Sequence, residues 1–427
     1  MTSSQSRMQT FIENINKYIS IDNLEKKLKQ KHTKTHPRLK HAKILTSEII
    51  KKNWSILKNY SPASNKDQEL IADEQTLKHI KQFSNNIENC IGTIKLPVGV
   101  IGPLRINGLF AQGDYYVPLA TTEAALVASY NRGSALITQS GGCSSLVLND
   151  GVCRSPGFIF NNLIEVGQFI NWINNNLNSF FKIPESTTKY GKLIDISCNT
   201  EGRHVYLIFD FYTGNAAGQN MVTIATDAIC QYILKNSPVQ PVHFLIEANF
   251  SGDKKACALS FQSVRGKKVT AEVHIPAELV EKYFHTNSKK MVEFWEMAAY
   301  GAIMSGAIGV QAHYANGLAA LYLATGQDVA CVAESSVGIT KLQLKEKRDL
   351  YASVTLPNII VGTVGGGTKL PSQNSGINIT GVNNTNNSSY AFAELCAAVC
   401  LAGELSLIGA ISANDFTKAH SKLARGK

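Results

Sequence analysis

PLATTEAALVASYNRGSALITQSGG, residues 118–142, is the stretch around which the chain is organised. Either Thr121 or Thr122 can cap a helix, because a threonine hydroxyl accepts a backbone N–H that lacks a partner in the first turn. The apolar run 124–128 favours helix, and Glu123 would lie in the first turn, where a carboxylate complements the helix dipole. From this stretch alone, Glu123 is interpreted as a dipole-matched residue of a capped core helix.

Length and composition predict a globular protein of two or three domains. The chain has 427 residues, of which 44% are hydrophobic and 17% are charged. A net charge of +10 favours polyanionic ligands such as a phosphorylated cofactor. Nine cysteines, an odd number in a long chain, do not suggest a disulfide framework. Cys396 and Cys400 lie one helical turn apart and are expected to be packed core thiols rather than metal ligands.

The N-terminal residues lack the apolar core of a secretory signal, and no long apolar run opens the chain. We therefore expect a soluble, cytoplasmic protein without a membrane anchor. Segment 26–43 is strongly basic and could bind nucleic acid or an anionic membrane surface. It has no interleaved aromatic residues, which favours a solvated arm. The most apolar stretches, 298–325 and 395–413, are rich in Gly, Ala and Ser and are expected to be buried helices.

Segment 156–245 has the pattern of a separate α+β unit. Alternating β-branched and aromatic residues predict strands at 193–198 and 204–214, and residues 242–249 predict a third strand. Segments 166–181 and 218–234 predict helices. Because no G-x-G-x-x-G motif is present, the pattern favours a small antiparallel sheet with helices on one face over a dinucleotide-binding Rossmann fold.

Other segments carry candidate site residues on turns. Asp150-Gly151 predicts a turn, with Arg154 on a loop rim where it suits a carboxylate or phosphate. The segment 253–255 (Asp-Lys-Lys) is expected on a turn that enters a strand. Segment 292–326 predicts one helix about 50 Å long or two helices broken near 306–309. A glycine-rich loop is expected at 357–371 and a last helix at 390–411.

Several strings, in order, resemble motifs of the HMG-CoA reductase family. They are ENCIGTIKLPVGVIGPL, TTEAALVASYNRG, GDKKA, SGAIGVQAHYAN, GQD, GTVGGGT and KAH, between residues 88 and 427, and they resemble the eukaryotic and archaeal-type class. The resemblance implies an α/β (α+β) fold with a large catalytic domain (88–155 and 246–427) around a long central helix. It further implies a helical N-terminal region (1–87), an inserted ferredoxin-like NADP-binding domain (156–245), and a homodimer or larger oligomer with its active site at the subunit interface.

The resemblance also assigns chemistry to four residues. Such enzymes reduce a thioester by two hydrides, through a thiohemiacetal and an aldehyde, to an alcohol. Lys254 matches the ammonium that stabilises the developing oxyanion, and Asp328 matches the aspartate that bridges the lysine and the glutamate. His420 matches the acid that protonates the leaving thiolate of coenzyme A. Glu123 matches the carboxyl that protonates the aldehyde oxygen, and burial beside an apolar helix is expected to raise its pKa.

NADPH is the cofactor that the resemblance implies. The family's GDAMGMN loop corresponds to a segment in which an acidic residue has become Asn215 and two methionines have become Ala217 and Gln219. Small residues at a helix start leave backbone N–H groups for a phosphate, and basic residues near the adenosine 2′-phosphate favour NADPH over NADH. The expected cofactor-binding residues are Thr188, Lys189, Asn215, Ala216, Ala217, Gly218, Gln219, Asn220 and Arg425; no metal site is expected.

The implied reaction is NADPH-dependent reduction of an acyl-CoA to an alcohol, by default 3-hydroxy-3-methylglutaryl-CoA to mevalonate and CoA in isoprenoid biosynthesis. The substrate-binding residues expected from the resemblance are Ser129, Asn131, Arg132, Arg154, Lys255 and Asn316. Two positions depart from the family's carboxylate clamp. Glu247 stands where a serine is expected, and the second lysine falls at Met297 or its neighbour, unless Lys289 or Lys290 substitutes. The alternatives are reduction of a different acyl thioester, on CoA or a carrier protein, and a catalytically silent relative that binds CoA or a partner.

Overall fold

The structure is a computed structural model that describes residues 3–30, 35–263 and 265–413. The chain forms two compact units, residues 1–93 and 94–427. The described part of the first unit is helical, with a core around Trp54. The Trp54 indole N–H donates to the carbonyl oxygen of Ile91 at 2.7 Å. Its helices are α1 (Ser3–Asn16), α2 (Ile21–Leu28), α3 (Ser47–Tyr60), α4 (Asn65–Ile71) and α5 (Glu74–His79).

The described residues of the second unit contain a ten-stranded sheet. The strands are β1 (Val98–Gly108), β2 (Gln112–Ala120), β3 (Cys143–Arg154), β4 (Gly157–Ile159), β5 (Lys192–Glu201), β6 (His204–Tyr212), β7 (His243–Leu245), β8 (Gly266–Ile275), β9 (Ile339–Leu344) and β10 (Leu350–Ile359). Strand β3 joins the two halves of the sheet, since it pairs with both β8 and β6. The path of the sheet is β7-β4-β6-β3-β8-β10-β9; β1 pairs with β3 and with β2, and β5 pairs with β6.

A long buried helix lies at the centre of the larger core. Among the described helices, this one is long and apolar enough to cross a membrane. However, 83% of its most apolar 18-residue stretch is buried inside the protein, as in the core helix of a globular domain. The helices of this unit are α6 (Leu126–Gln139), α7 (Leu163–Asn175), α8 (Leu177–Lys182), α9 (Gln219–Asn236), α10 (Ala277–Phe284), α11 (Ser288–Ser305), α12 (Tyr314–Thr325), α13 (Val332–Ser335), α14 (Pro371–Thr380) and the central α15 (Ser388–Ser412). The predicted helix at 390–411 is confirmed.

The segment from β4 to β7 has the strand and helix order of a ferredoxin-like fold. Its strands lie antiparallel in the order β7-β4-β6-β5, and α7 and α9 connect them. A separate apolar cluster of Phe158, Phe169, Phe209 and Ile229 fills the space between this sheet and its helices. The predicted mixed α/β class and the antiparallel sheet are confirmed, although the third strand is shorter than predicted. The predicted domain boundaries at 87, 156 and 245 stay a prediction.

The prediction that Thr121 or Thr122 caps a helix is wrong. Strand β2 continues to Ala120, and α6 begins only at Leu126, after Ala125 adopts a left-handed φ of 68°. Residues 121–125 therefore form a loop, and the Thr121 hydroxyl accepts the backbone N–H of Glu123 at 3.0 Å. Glu123 lies on this loop and not in the first turn of a helix. The prediction that its carboxylate complements the helix dipole is therefore wrong.

Segment 292–326 forms two helices, which was the second of the predicted alternatives. Helix α11 ends at Ser305, where Gly306 takes a φ of 75°, and α12 begins at Tyr314. The expectation that the whole stretch is buried is wrong for α11. Large side chains on one face of α11 are exposed in the single chain, because their spacing of three or four residues places them side by side on the helix surface. We call Met297, Tyr300, Ile303 and Met304 the α11 stripe.

Candidate active site

Lys254 and Asp328 form an ion pair, which is the lysine half of the bridge between lysine and glutamate that the resemblance implies. The Lys254 Nζ lies 2.8 Å from Asp328 Oδ2, and both side chains are about two-fifths exposed. The hydrogen bond that Lys254 donates to Asp328 is the main reason why the pKa of the Lys254 ammonium is raised above its ordinary value. Lys254 therefore presents a charged ammonium at the protein surface over the whole neutral pH range.

The backbone holds Lys254 in an uncommon conformation. Its φ is 57°, a left-handed value that side-chain-bearing residues adopt infrequently. The carboxylate of Glu334 on α13 accepts the Lys254 backbone N–H at 3.1 Å and also binds Arg265. Glu334 is fully buried, and burial raises its pKa while Arg265 opposes that rise. Two buried charged residues thus fix the backbone turn that carries the lysine.

Arg154 lies at the end of β3 and not on a loop rim, so that prediction is wrong. The Asp150-Gly151 pair expected to form a turn lies within the same strand, where Asp150 pairs with Lys267 of β8. The Arg154 side chain is only 9% exposed, and its Nη1 lies 3.0 Å from Asp253 Oδ2 and 3.3 Å from Glu247 Oε2. Its guanidinium is therefore already bound by two carboxylates of the chain.

Glu123 is paired with the first turn of α12. The Asn316 side-chain amide donates to Glu123 Oε2 at 3.2 Å. Glu123 is exposed in the single chain, so the burial expected to surround it is not supplied by its own described residues. Within the described ranges, no hydrogen bond or ion pair joins the Glu123–Asn316 pair to the Lys254–Asp328 pair.

Three residues predicted to bind substrate contact the chain's own backbone or the central helix. The Ser129 hydroxyl lies 2.9 Å from that of Ser406 on α15. The Arg132 guanidinium donates to the carbonyl oxygen of Ser406 at 2.8 Å. The Asn131 side chain accepts the N–H of Gly102 at 3.0 Å. These contacts fix α6 against α15 and β1, and the predicted binding role of the three residues stays a prediction.

The predicted cofactor loop, residues 214–220, turns into α9. Gly218 has a φ of 76°, and α9 begins at Gln219, so the first backbone N–H groups of this helix point out of its N-terminus. Asn215 serves the structure, since its Oδ1 accepts the Ser389 N–H at 3.2 Å and its Nδ2 donates to the Asn386 carbonyl oxygen at 2.9 Å. The loop is thereby attached to the N-terminal end of α15.

The glycine-rich loop after β10 packs directly on this cofactor loop. A side chain at Gly362 would lie 2.3 Å from the backbone nitrogen of Ala217, so only glycine permits the contact. The Gly362 N–H also donates to the side chain of Gln327 at 2.9 Å. Gln327 directly precedes Asp328, so this hydrogen bond attaches the glycine-rich loop next to the residue that pairs with Lys254.

The residues predicted to contact the 2′-phosphate differ in their surroundings. The Thr188 hydroxyl accepts the N–H groups of Tyr190 at 3.1 Å and Gly191 at 3.2 Å, so it shapes a turn. Lys189 is exposed on the same turn. Two further predicted residues, His420 and Arg425, lie outside the described residues.

The motifs did not indicate Glu334 or Arg265. Glu334 contacts Lys254 across 80 residues of sequence, and the spacing of charged residues along the chain contains no sign of that contact. The one available signal was an acidic residue in the apolar run between Val329 and Val337. Among the described residues, no group of three or more His, Cys, Asp or Glu side chains is placed to hold a metal ion.

Comparison with known proteins identifies relatives along most of the chain. The family model described as hydroxymethylglutaryl-coenzyme A reductase matches residues 49–425. The 3-hydroxy-3-methylglutaryl-coenzyme A reductase of Methanocaldococcus jannaschii is 42% identical over 82% of this chain and 89% of its own length. The enzyme of the same name from Pyrococcus abyssi is 41% identical over 82% of this chain and 89% of its own length.

Solved structures share the fold at low sequence identity. The class II 3-hydroxy-3-methylglutaryl-CoA reductase of Streptococcus pneumoniae, solved bound to NADPH, superposes with a TM-score of 0.63. It is 19% identical and covers 84% of this chain and 96% of that chain. The resemblance stated from the motifs, the family model and the archaeal relatives agree. The chain belongs to the hydroxymethylglutaryl-coenzyme A reductase family.

Proposed function

We propose that the protein reduces an acyl-CoA thioester to an alcohol with NADPH, as the names of its relatives indicate, with 3-hydroxy-3-methylglutaryl-CoA as the first substrate to test and mevalonate and CoA as its products. The observation that carries the proposal is the ion pair of Lys254 with Asp328. The Lys254 ammonium is charged, exposed and held in place, and these are the properties needed to stabilise an oxyanion. A catalytically silent relative would have no need to hold Lys254 in a left-handed conformation.

The residues divide the chemistry between them. Lys254 stabilises the negative charge that develops on the thioester oxygen, and Asp328 keeps the ammonium protonated and aimed. Glu123, oriented by Asn316, donates a proton to the aldehyde oxygen in the second reduction. By resemblance to the family, His420 protonates the departing thiolate of CoA. The nicotinamide cofactor supplies the hydrides when it is bound.

The residues around α9 fit a phosphorylated cofactor. The unpaired N–H groups at the start of an 18-residue helix favour an anionic group. Gly365 and Gly366 have positive φ values and open space where a side chain would be, so a flat ring can approach their backbone. Lys189 adds positive charge for the 2′-phosphate of NADPH. Asn215 contributes to the shape of the loop through its own hydrogen bonds rather than by presenting a free side chain.

We propose that the active protein is a homodimer in the cytoplasm, with no nucleic-acid or membrane partner. Two features support the dimer. The α11 stripe exposes four large apolar side chains, of which Met304 is 82% exposed. The Glu123–Asn316 and Lys254–Asp328 pairs are not joined within one chain's described residues, so a second copy can bring them together.

The test is NADPH oxidation by the purified protein with a panel of acyl-CoAs that includes 3-hydroxy-3-methylglutaryl-CoA. Release of the CoA thiol is followed in the same reaction with a thiol reagent. We expect NADPH oxidation only when an acyl-CoA is present, together with thiol release. Binding of acyl-CoA without oxidation of NADPH would favour the silent relative.

A further inference from the structure

We propose that Glu247 makes the acyl site selective for acyl groups without a terminal carboxylate. This inference rests on the proposed function, because it names the substrate class of the same site. It is drawn from the charges that surround Arg154, next to the loop that carries Lys254.

Two carboxylates of the chain already offset much of the attraction that Arg154 could offer to an incoming carboxylate, although its buried Nε has no hydrogen-bond partner among the described residues. Arg154 is nine-tenths buried, and its Nη1 lies within 3.3 Å of both the Glu247 and the Asp253 carboxylates. Asp253 also binds Arg265 at 2.7 Å, so it is fixed between the two guanidinium groups. A substrate carboxylate could reach Arg154 only by displacing one of these carboxylates or by lying beside them.

Glu247 is held firmly and is not a side chain that would swing away. Its Oε2 accepts hydrogen bonds from the Ser155 N–H at 3.3 Å and the Ser251 hydroxyl at 3.1 Å. Its Oε1 accepts the Asn249 N–H at 2.8 Å. Displacing it would break these bonds in addition to the ion pair, and a carboxylate bound by several donors is costly to move.

The local charge balance gives the same result. Ion pairs link two cations, Arg154 and Arg265, to three carboxylates, Glu247, Asp253 and Glu334, a formal net charge of −1. The separate ion pair of Lys254 with Asp328 adds no net charge. Lys255, whose ammonium donates to the Asp253 carbonyl oxygen at 2.8 Å, brings that balance to zero. A site selects an anionic group by net positive charge and rejects it by unpaired negative charge. The chain itself supplies the anion that a carboxylated acyl group would otherwise contribute.

The decisive comparison uses two CoA thioesters that differ only by the carboxylate, 3-hydroxy-3-methylglutaryl-CoA and 3-hydroxy-3-methylbutyryl-CoA. We expect kcat/KM of the wild-type protein to be higher for the uncharged acyl group by about tenfold or more, the ratio that corresponds to about 1.4 kcal/mol. Titration calorimetry with both compounds measures the same preference without turnover. Absence of any reduction, with a binding preference for the uncharged compound, would therefore remove the proposed function and leave the selectivity intact.

The variant Glu247→Gln tests the residue itself. It removes the negative charge beside Arg154 but keeps the size and an acceptor oxygen. We expect the preference to shift toward the carboxylated compound by about tenfold or more. The matched control Glu247→Asp keeps the charge and should keep the wild-type preference. Since the readout is a ratio within one protein, partial misfolding lowers both rates and leaves the ratio unchanged. A wild-type preference for the carboxylated compound, or a ratio unchanged in Glu247→Gln, would overturn the inference.

Discussion

At the scale of single residues, the site depends on how Asp328 and Glu334 hold Lys254. Asp328 contacts the ammonium and Glu334 contacts the backbone N–H, so one carboxylate sets the charge and the other sets the position. The two contacts are separable, because a change at Asp328 alters the proton affinity of Lys254 without removing the bond that fixes its backbone.

The variant Asp328→Asn should move the alkaline limb of activity to lower pH. Hydrogen bonding to Asp328 raises the pKa of Lys254, and the raised value keeps the ammonium charged until the pH rises through it. Loss of the carboxylate lowers that pKa, so the oxyanion partner is lost earlier as the pH increases. The measurement is kcat/KM against pH for the wild type and the variant. A uniform loss of rate with an unmoved alkaline limb would show that Asp328 does not set the protonation of Lys254.

The motifs predicted Lys254, Asp328 and Glu123 but not the surroundings of these residues. The motifs occur in the same order as in the family, and each reacting residue lies within one of them. Lys254 and Asp328 could therefore be predicted from the sequence. The contact with Glu334 depends on how distant segments meet, which no local pattern records. The same limit explains Arg154, whose sequence neighbours suggested a turn although register with β8 draws them into a strand.

At the scale of secondary-structure elements, close contact between α6 and α15 depends on glycine. A side chain at Gly133 would lie 1.9 Å from the carbonyl oxygen of Ala402, a distance that requires the helices to separate. Gly167, in α7, has open space at the same position. The two sites form a matched pair of helical glycines.

Gly133→Ala should lower the free energy of unfolding by about 1–3 kcal/mol or more, because it overpacks a rigid contact. Gly167→Ala should raise it by about 0.5–1 kcal/mol, because alanine loses less backbone entropy in a helix. Urea unfolding followed by circular dichroism measures both changes. Equal effects of the two substitutions would mean that α6 and α15 do not touch at Gly133.

Strands β5 and β6 contain a carboxyl pair that should make stability depend on pH. Burial, with Asp195 directly opposite, raises the pKa of Asp210 to about 6. A raised folded-state pKa means that the folded protein keeps this proton while the unfolded chain, with a pKa of about 3.9, releases it. The free energy of unfolding should therefore fall by about 2–3 kcal/mol as the pH rises from about 4 through 6.

Asp210→Asn should remove this dependence and be more stable than the wild type at pH 7. Asp195→Asn serves as the control. It removes only the charge repulsion from Asp195, which raises the pKa of Asp210 less than burial does, so it should recover only part of the stability lost at pH 7. Chemical unfolding at several pH values from 4 to 7 makes the comparison. Parallel pH curves for the wild type and Asp210→Asn would contradict the assignment.

Element prediction succeeded where the periodicity was strong and failed at junctions. The buried helix α15 and the strands β5 and β6 follow from their apolar patterns. The start of α6 was missed because the left-handed turn at Ala125, and not a threonine cap, ends the loop after β2. An alanine gives no sequence signal for a positive φ, so that boundary could not be predicted from local chemistry.

At the scale of the whole molecule, we expect an active site formed by two subunits. The reasons are the exposed α11 stripe and the absence of a hydrogen bond or ion pair joining Glu123–Asn316 to Lys254–Asp328 within the described residues of one chain. Glu123→Gln and Lys254→Ala should each be inactive alone. If each site takes Glu123 from one chain and Lys254 from the other, a mixed dimer of the two variants contains one site with both native groups. The two variants refolded together should therefore regain partial activity. A mixture as inactive as its components would place both residues of each site in one chain.

Met304→Glu should weaken the dimer by placing a charge within the α11 stripe. Burying an unpaired carboxylate at an interface is strongly unfavourable, so sedimentation velocity should show a shift toward monomer. Glu293→Gln, a conservative change at an exposed residue of α11 outside the stripe, is the control. An unchanged sedimentation coefficient in Met304→Glu would remove α11 from the interface.

The central claim is that Lys254 stabilises an oxyanion during thioester reduction, and the most direct measurement is the stoichiometry of NADPH oxidised to CoA thiol released. With the preferred acyl-CoA, the wild-type protein should oxidise two equivalents of NADPH for each thiol, since a thioester needs two hydrides to become an alcohol. Lys254→Ala should lose about 3 kcal/mol or more of transition-state stabilisation, which would nearly abolish thioester reduction. It should remain folded, because the side chain is exposed; the exposed Lys235→Ala is the control. Wild-type turnover in Lys254→Ala, with the same stoichiometry, would contradict the account.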